Sequence, residues 1–292
     1  MDLLRSLIFV PGNRPNMLER AKNFKTDIVM VDLEDSVPPS EKITARELAS
    51  EWVTTLTGNN QKVMIRVNAL DTGLTKDDLT RIVSPQLYGI SLGKVSSRWD
   101  IQSTDRVLVE LEERLMIPVG TVKIIPWIET AKAIMELDAI ANASKRIIAI
   151  AFGAEDYTND MGILRTDMGA EVEFPRSAVA IAARSANIAA LDSPFVSFKD
   201  TVNLKADSMK ARQLGYTGKF AIHPDQLEII NQTFSPSKED IEYALRVVEG
   251  WNEALKIGRG SFDLDGKMVD VPVVKRAQNL LALSQSITEN YQ

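Results

Sequence analysis

The sequence predicts a (β/α)8 barrel of the TIM type, followed by a C-terminal helical extension. Eight short apolar runs of strand length recur along the first 222 residues, and stretches with helical spacing lie between most of them. Alternation of strands and helices predicts a parallel sheet, and eight such units predict its closure into a barrel. The alternative is an open doubly wound sheet, but no G-x-G-x-x-G fingerprint follows the first run.

The strands are predicted from near-continuous apolar runs, which are typical of strands buried on both faces. They cover residues 6–10, 28–33, 62–67, 88–95, 122–128, 147–152, 194–198 and 218–222. The helices between them are predicted at residues 15–25, 40–57, 104–116, 130–142, 174–190 and 201–213. In the second of these, Ile43, Leu48, Trp52 and Leu56 recur at roughly helical spacing.

About 70 residues follow the eighth predicted strand. We expect a helix at 236–256, a segment rich in glycine and charge at 258–272, and a final helix at 273–288. The predicted domains are therefore a catalytic barrel over residues 1–235 and a helical extension over residues 236–292. The segment 258–272 is interpreted as a lid, or as an arm that reaches a neighbouring subunit.

Composition excludes several classes of protein. A net charge of −6 provides no broad basic field, which argues against nucleic-acid binding. The absence of cysteine excludes disulfides, thiolate zinc sites and a cysteine nucleophile, and the single histidine excludes a zinc site built on several histidines. Any metal must be bound mainly by oxygen, which favours Mg²⁺ or else Mn²⁺. No apolar run approaches a membrane span or a signal peptide, so we expect a soluble cytoplasmic protein without membrane contact.

Charged side chains stand at the downstream ends of six of the apolar runs. In a (β/α)8 barrel these carboxyl ends form the mouth at which active sites are built, so the pattern is typical of an enzyme. The residues are Asp32, Glu34, Arg66, Lys94, Glu129, Glu155, Asp156 and His223.

Glu129 and Asp156 are the candidate metal ligands, because they follow adjacent strands and two carboxylates are a usual protein share of a Mg²⁺ shell. The alternative is a pair of solvated acids at helix starts, where negative charge is favourable. The turn Gly153-Ala154-Glu155 could in addition bind a substrate carboxylate through its backbone N–H groups.

Arg66 must be paired or must face the mouth, since an unpaired buried charge costs too much free energy. Its planar fork suits a carboxylate or an enolate, and Asp32 or Glu34 is the structural alternative as partner. Asp32 and Glu34 are expected to point the same way and to surround the site rather than bind metal directly. Lys94 raises the possibility of Schiff-base chemistry, but the surrounding acids favour a paired lysine whose pKa is raised.

Seven stretches in register give the chain a family resemblance. They are RSLIFVPGN (5–13), DLEDSV with Lys42 and Arg46 (32–46), IRVNALD (65–71), IET (128–130), FGAEDY (152–157), LGYTGKFAIHPDQ (214–226) and GKMVDVP (266–272). With these motifs the chain resembles the citrate lyase β-subunit-like family, within the HpcH/HpaI aldolase superfamily and including lyases of the malyl-CoA and citramalyl-CoA type.

The resemblance implies a divalent metal on Glu129 and Asp156, and Arg66 on the substrate carboxylate or the enolate. It implies that Asp270 is a general acid/base contributed by a neighbouring subunit, within a homotrimer or a dimer of trimers. The residues that it implies for coenzyme A (CoA) binding are Phe9, Asn16, Arg20, Ile222 and His223, although a lone histidine is more often structural.

The expected reaction is Mg²⁺-dependent cleavage or formation of a carbon–carbon bond in a 3-hydroxyacyl thioester that bears a carboxylate. Malyl-, citramalyl- and citryl-CoA are the expected substrate types, and a 2-oxo acid and acetyl-CoA are the products. Three alternatives stay open: the β subunit of a heteromeric citrate lyase acting on an acyl-carrier thioester, a CoA-thioester hydrolase, and a non-catalytic CoA-ester-binding protein.

Overall fold

Eight parallel strands close into a barrel, which confirms the predicted fold class. The structure is a computed structural model, and it describes residues 3–166 and 168–291. Each strand pairs with the next in parallel, and β1 pairs with β8, with Leu7 opposite Phe220. The strands are β1 (Ser6–Pro11), β2 (Ile28–Asp32), β3 (Val63–Val67), β4 (Gly89–Leu92), β5 (Lys123–Ile128), β6 (Ala149–Phe152), β7 (Ala189–Asp192) and β8 (Gly218–Ala221).

Helices cover the barrel and bury one face each. In α2 the buried residues Ala45, Ala49, Val53 and Leu56 follow helical spacing, as an amphipathic helix requires. The helices of the barrel are α1 (Pro15–Ala21), α2 (Lys42–Thr57), α3 (Thr75–Ile82), α4 (Arg98–Arg114), α5 (Ala131–Met135), α6 (Leu137–Ala141), α7 (Ala154–Asp160), α8 (Glu173–Ser185), α9 (Thr201–Leu214) and α10 (Leu227–Thr233). Short 3-10 helices lie at Pro39–Glu41, Leu70–Thr72, Ala170–Val172 and Pro224–Gln226.

Large apolar side chains fill the barrel interior. Because side chains alternate between the two faces of a strand, every second residue of a strand points inward. Met30, Met64, Trp127 and Phe220 belong to this core, and Phe9 packs against it. The rings of Phe9 and Phe220 stack with centroids 5.1 Å apart, and Trp127 lies 4.4 Å from Phe220. These three aromatic rings form a floor beneath the mouth of the barrel.

The predicted seventh strand at 194–198 is wrong. The strand is Ala189–Asp192, within and just after the helix predicted at 174–190, whereas α8 already ends at Ser185. Alanine favours helix and the β-branched and aromatic residues of 194–198 favour strand, so propensity pointed the wrong way at both places. Packing decided the outcome, because Leu191 is fully buried in the barrel whereas Val196 is 57% exposed.

The chain divides into two compact units, Leu4–Ile230 and a second that consists chiefly of the residues from Asn231 onward. The second unit contains α11 (Lys238–Lys256), β9 (Phe262–Leu264), β10 (Lys267–Val269) and α12 (Val271–Tyr291). Its own core includes Ala244, Val247, Val269, Val274 and Ala277. The predicted division into a catalytic domain 1–235 and an extension 236–292 stays a prediction about function.

The segment 258–272, expected as a glycine-rich lid, contains the antiparallel hairpin β9–β10. Asp265 and Gly266 connect the strands with positive φ angles of 53° and 73°, the conformation of a two-residue type I′ turn. The Phe262 ring lies so close to Gly250 in α11 that a Cβ at Gly250 would come within 2.4 Å of it. The segment is therefore a folded hairpin anchored on α11, and its role as a lid stays a prediction.

None of the helices in the described parts of the chain is both long enough and apolar enough to cross a membrane.

Candidate active site

Strand alternation places three of the predicted charged residues on the inner face of the barrel. Each lies two residues beyond a core residue of its strand, so it continues the inward-facing row at the carboxyl end. The pairs are Met30 and Asp32, Met64 and Arg66, and Trp127 and Glu129.

Arg66 is fixed by carboxylates on one side and by an aromatic ring on another. Its Nε and Nη2 each donate to one oxygen of Asp32 over 2.7 Å, and its Nη1 donates to Asp35 Oδ2 over 3.1 Å. Its Cζ lies 4.6 Å from the centroid of the Phe9 ring, a cation–π contact. Burial would lower the pKa of Arg66, but Asp32, with help from Glu34 and Asp35, raises it above its usual range. The guanidinium is therefore permanently charged and held in one orientation.

Glu34 lies against Arg66, Gly93 and Lys94. Its Oε2 is 3.2 Å from Arg66 Nη1, its Oε1 is 3.7 Å from Lys94 Nζ, and Oε1 is buried without a hydrogen-bond partner. Burial, only partly offset by Arg66, raises the pKa of Glu34 to about 7. For Lys94, burial would lower the pKa, but Glu34 and Asp35 outweigh it and raise the pKa, as predicted. A raised pKa leaves the amine protonated, which disfavours Schiff-base chemistry.

Glu129 is the more buried of the two predicted metal ligands, with 4% of the residue exposed. Its Oε1 accepts a hydrogen bond from the backbone N–H of Lys94. Its Oε2 lies so close to Gly153 that a Cβ there would be only 2.6 Å away. Burial raises the pKa of Glu129 to about 8, and the negative charge of the nearby Asp156 carboxylate adds to this shift.

Asp156 lies half-buried in the first turn of α7, four residues beyond the end of β6. Its charge opposes ionisation of Glu129, and a divalent cation between two such carboxylates would remove that repulsion. Among residues 3–166 and 168–291, no cluster of three or more His, Cys, Asp or Glu residues could hold a metal. The pair thus fits an oxygen-loving cation whose remaining ligands come from water and substrate.

The turn Gly153-Ala154-Glu155 offers fewer backbone donors than predicted. The Gly153 N–H donates to the Ile128 carbonyl over 3.0 Å, and the Ala154 N–H donates to Ser193 Oγ over 3.0 Å. The first amide is used to continue the β5–β6 pairing, and the second to attach α7 to the end of β7. Glu155 is exposed, and its Oε1 lies 3.4 Å from Arg165 Nε. Two of the three backbone N–H groups of this turn are therefore already used, and its binding of a substrate carboxylate stays a prediction.

The five residues predicted to bind CoA lie in two different environments. Phe9 is part of the aromatic floor under Arg66, whereas Asn16 and Arg20 are exposed on α1, four residues apart on one helix face. Ile222 is 40% exposed, and the His223 ring stacks on Phe198 with centroids 4.8 Å apart. Asn16, Arg20, Ile222 and His223 thus remain accessible for a ligand, but Phe9 faces the barrel interior.

Asp270 belongs to the second unit, where it immediately precedes α12. It is half-buried, and its backbone carbonyl accepts a hydrogen bond from the Val274 N–H over 3.0 Å. Asp270 is therefore the N-cap residue of α12.

A cavity of about 590 Å³ in the barrel unit is lined by Phe152 at the end of β6, Asp192 at the end of β7 and Lys219 in β8. Ala154 and Glu155 line it, but Arg66, Glu129 and Asp156 do not. Its buried charges neutralise one another: Arg176 Nη2 donates to Asp192 Oδ2 over 2.6 Å, and Lys219 Nζ donates to Asp207 Oδ2 over 2.6 Å. These charges stabilise the packing of α8 and α9 on the barrel.

The sequence matches a known family over most of the barrel. The family model described as HpcH/HpaI aldolase/citrate lyase matches residues 5–224. The chain belongs to the HpcH/HpaI aldolase/citrate lyase family.

Relatives of this family match nearly the whole chain. Citrate lyase subunit beta from Leuconostoc mesenteroides subsp. cremoris is 37% identical, over 97% of this chain and 94% of that protein. Human mitochondrial citramalyl-CoA lyase is 27% identical, over 98% of this chain and 86% of that protein. The solved structure of CitE from Mycobacterium tuberculosis in complex with magnesium, acetoacetate and coenzyme A is 25% identical, with a TM-score of 0.76, over 96% of this chain and 97% of that chain.

These findings confirm three predictions: the family, the barrel fold and an enzyme of the lyase class. The roles assigned to individual residues of this family member stay predictions. Two features of the site were missed by sequence reasoning, namely the aromatic floor and the contact of the Lys94 backbone with Glu129. Alternation along β1 could have placed Phe9 inside the barrel, because Leu7 is a core residue of the same strand.

Proposed function

We propose that this member of the HpcH/HpaI family cleaves or forms a carbon–carbon bond in a 3-hydroxyacyl thioester that bears a carboxylate. The substrate is of the malyl-, citramalyl- or citryl-CoA kind, and the products of cleavage are a 2-oxo acid and acetyl-CoA. The observation that carries the proposal is a fixed, permanently charged Arg66 at the same barrel end as the carboxylate pair Glu129 and Asp156. The citrate lyase and citramalyl-CoA lyase relatives support this reaction class.

Glu129 and Asp156 would hold Mg²⁺, with Mn²⁺ as a substitute. Their oxygen ligands and their mutual repulsion fit such a cation, and the CitE structure in complex with magnesium supports the choice. The cation would supply positive charge next to the carboxylate and hydroxyl oxygens of the substrate.

Arg66 stabilises the negative charge that develops on an oxygen as the bond breaks. Asp32 and Asp35 accept hydrogen bonds from three of its N–H groups, and Glu34 lies 3.2 Å from Nη1. Because a guanidinium has five N–H groups, at least one donor remains for the enolate or the substrate carboxylate. Because the guanidinium is already oriented, little reorganisation is needed during the reaction. Removing one such donor typically lowers turnover by about 10²–10³-fold.

Asp270 is assigned to the proton transfer at carbon. In the cleavage direction the Asp270 carboxylate accepts the proton of the substrate hydroxyl, directly or through water, and the Cα–Cβ bond breaks as the hydroxyl-bearing carbon becomes the carbonyl of the 2-oxo acid. Asp270 then returns the proton to the enolate carbon of the acetyl thioester. In the synthetic direction Asp270 removes that proton. We propose that it comes from a neighbouring subunit of a homotrimer or a dimer of trimers, on the hairpin-bearing segment 258–272.

The thioester arm is proposed to lie along α1 and the end of β8, where Asn16, Arg20, Ile222 and His223 are accessible. The bound coenzyme A of the CitE structure supports an arm of this kind. The predicted cytoplasmic location is part of the same proposal.

A second candidate differs only in the carrier of the acyl group. The chain would then be the β subunit of a heteromeric citrate lyase and would act on an acyl-carrier thioester. The 37% identity to a citrate lyase β subunit over 97% of the chain favours this reading.

The deciding experiment is acetyl-CoA release by the purified protein from malyl-, citramalyl- and citryl-CoA, with and without Mg²⁺. Metal-dependent release of acetyl-CoA and a 2-oxo acid from one of them supports the stand-alone lyase. Free CoA without acetyl-CoA would point to a hydrolase instead. If all three thioesters stay intact, an acyl-carrier thioester is tested next. Inactivity with that substrate as well would favour the non-catalytic CoA-ester-binding protein.

The role of Arg66 is tested in the same assay. Arg66→Gln is expected to lower turnover by about 10²–10³-fold. Arg81→Gln is the matched control, because Arg81 pairs with Glu47 on the surface of the barrel, and this variant should retain turnover. Equal turnover in the two variants would contradict the role of Arg66.

A further inference from the structure

The residue that follows β4 has an unusual backbone. Lys94 has a φ of 53°, in the left-handed region that side-chain-bearing residues rarely adopt. Among the described residues, positive φ angles also occur at Asn60, Asn187 and Asp265, which are residue types that tolerate this region, and at Met116. Lysine has no such tolerance, so its conformation at a candidate active site calls for a physical cause.

The left-handed backbone gives the Lys94 N–H a specific acceptor. That N–H donates to Oε1 of Glu129, the buried carboxylate at the end of the neighbouring strand β5. On its other side, Oε2 of Glu129 is in close contact with Gly153, at the end of β6. The carboxylate thus lies in a slot between one backbone amide and one glycine, and neither wall depends on a flexible side chain.

The residues around Lys94 hold this conformation in place. Gly93 lies so close to the Glu34 carboxylate that a Cβ there would be 2.9 Å from Oε1, and Val95 is buried. Ser96 and Ser97 donate backbone N–H groups to Asp100 Oδ2 over 2.8 and 2.9 Å at the start of α4. Because the chain is fixed on both sides, the strained residue between them cannot relax without breaking these contacts.

We infer that Lys94 is a positioning residue whose left-handed backbone amide orients Glu129 for metal binding, independently of its side-chain charge. The inference rests on the proposed function, because it assumes that Glu129 binds the divalent cation. Groups that orient metal ligands commonly change metal affinity by about 10–100-fold when they are lost.

The test separates the backbone of Lys94 from its charge. Lys94→Asn, Lys94→Gly, Lys94→Ala and Lys94→Val all remove the ammonium group. Asparagine and glycine tolerate a positive φ, alanine tolerates it poorly, and β-branched valine opposes it most. The readout is the dissociation constant of Mn²⁺, measured by electron paramagnetic resonance without substrate, with circular dichroism as a check of folding.

We expect the asparagine and glycine variants to bind Mn²⁺ alike, and the valine variant to bind about 10–100-fold more weakly than these two. The alanine variant should lie between them, and it keeps the comparison available if the valine variant does not fold. Equal Mn²⁺ affinity in all four variants, whether strong or weak, would overturn the inference. If the wild-type protein binds no Mn²⁺, the proposed metal site itself is wrong.

Discussion

Metal affinity at the Glu129–Asp156 pair is expected to fall steeply below pH 8. Burial and the neighbouring Asp156 carboxylate raise the pKa of Glu129 to about 8, so a proton competes with the cation for this carboxylate. The apparent dissociation constant is then multiplied by one plus the ratio of protonated to ionised Glu129. With a pKa of about 8, the Mg²⁺ affinity at pH 6 should be about 50-fold weaker than at pH 8.

Isothermal titration of the protein with Mg²⁺ at pH 6, 7, 8 and 9, without substrate, measures this dependence. Most of the gain in affinity should occur below pH 8, and little should remain between pH 8 and 9. Glu129→Gln, which cannot ionise, is expected to bind Mg²⁺ weakly at every pH. An affinity that is flat between pH 6 and 8, or that falls as the pH rises, would refute the reasoning.

The same pKa shift has the opposite consequence for the metal-free protein. The folded-state pKa of about 8 lies above the ordinary value of 4.5, so this group stabilises the fold fully only below about pH 4.5. That stability is lost as the pH rises through about 8. The melting temperature of the metal-free protein should therefore fall between pH 6 and 9, and it should fall less in Glu129→Gln. Added Mg²⁺ should raise it more at pH 9 than at pH 6.

Further predictions concern three single substitutions. Gly153→Ala would place a Cβ 2.6 Å from Glu129 Oε2, and we expect a loss in Mg²⁺ affinity of about 10–100-fold by titration, whereas unchanged affinity would contradict the slot. Asp270→Asn should abolish turnover and leave the Mg²⁺ affinity at the wild-type value; near-normal turnover would show that the acid/base role is wrong. Lys219→Met would remove one partner of the fully buried Asp192 and should lower the free energy of unfolding in urea by about 3–5 kcal/mol. A loss below about 1 kcal/mol, which is typical of a surface pair, would mean that the network is dispensable.

The strands that end in charge were predictable because two simple patterns coincide in them. In β2 and β3 a buried apolar run is followed by a charge, Asp32 and Arg66. A lone charge at the end of a buried strand indicates the carboxyl end of the strand, where the active site of a (β/α)8 barrel is built. The strand β7 also ends in a charge, Asp192, but its alanines suit a helix equally well, and the helix α3 was not predicted. There the packing of the finished barrel, and not local propensity, determines the structure.

The residue types of the candidate site were visible in the sequence, but its backbone conformation was not. Carboxylates at the ends of adjacent strands predict a cation site, whatever the details of the turns that follow. The slot around Glu129 depends instead on a φ angle at Lys94 and on a close approach at Gly153, and both arise only after β4, β5 and β6 have paired. If β2 continued beyond Asp32, alternation would point Asp35 away from Arg66, but β2 ends at Asp32, and the turn that follows brings Asp35 Oδ2 within 3.1 Å of Arg66 Nη1.

The aromatic floor has a consequence for the order of events in a turnover. Phe9, Trp127 and Phe220 pack against one another across the barrel interior, which in a (β/α)8 barrel is a filled core and not a pore. Under the proposed reaction, both cleavage products therefore leave through the mouth of the barrel by which the substrate entered. The product that lies against the aromatic floor can leave only after the product nearer the mouth, so release is sequential. A product that stays at the mouth also blocks binding of the next substrate molecule.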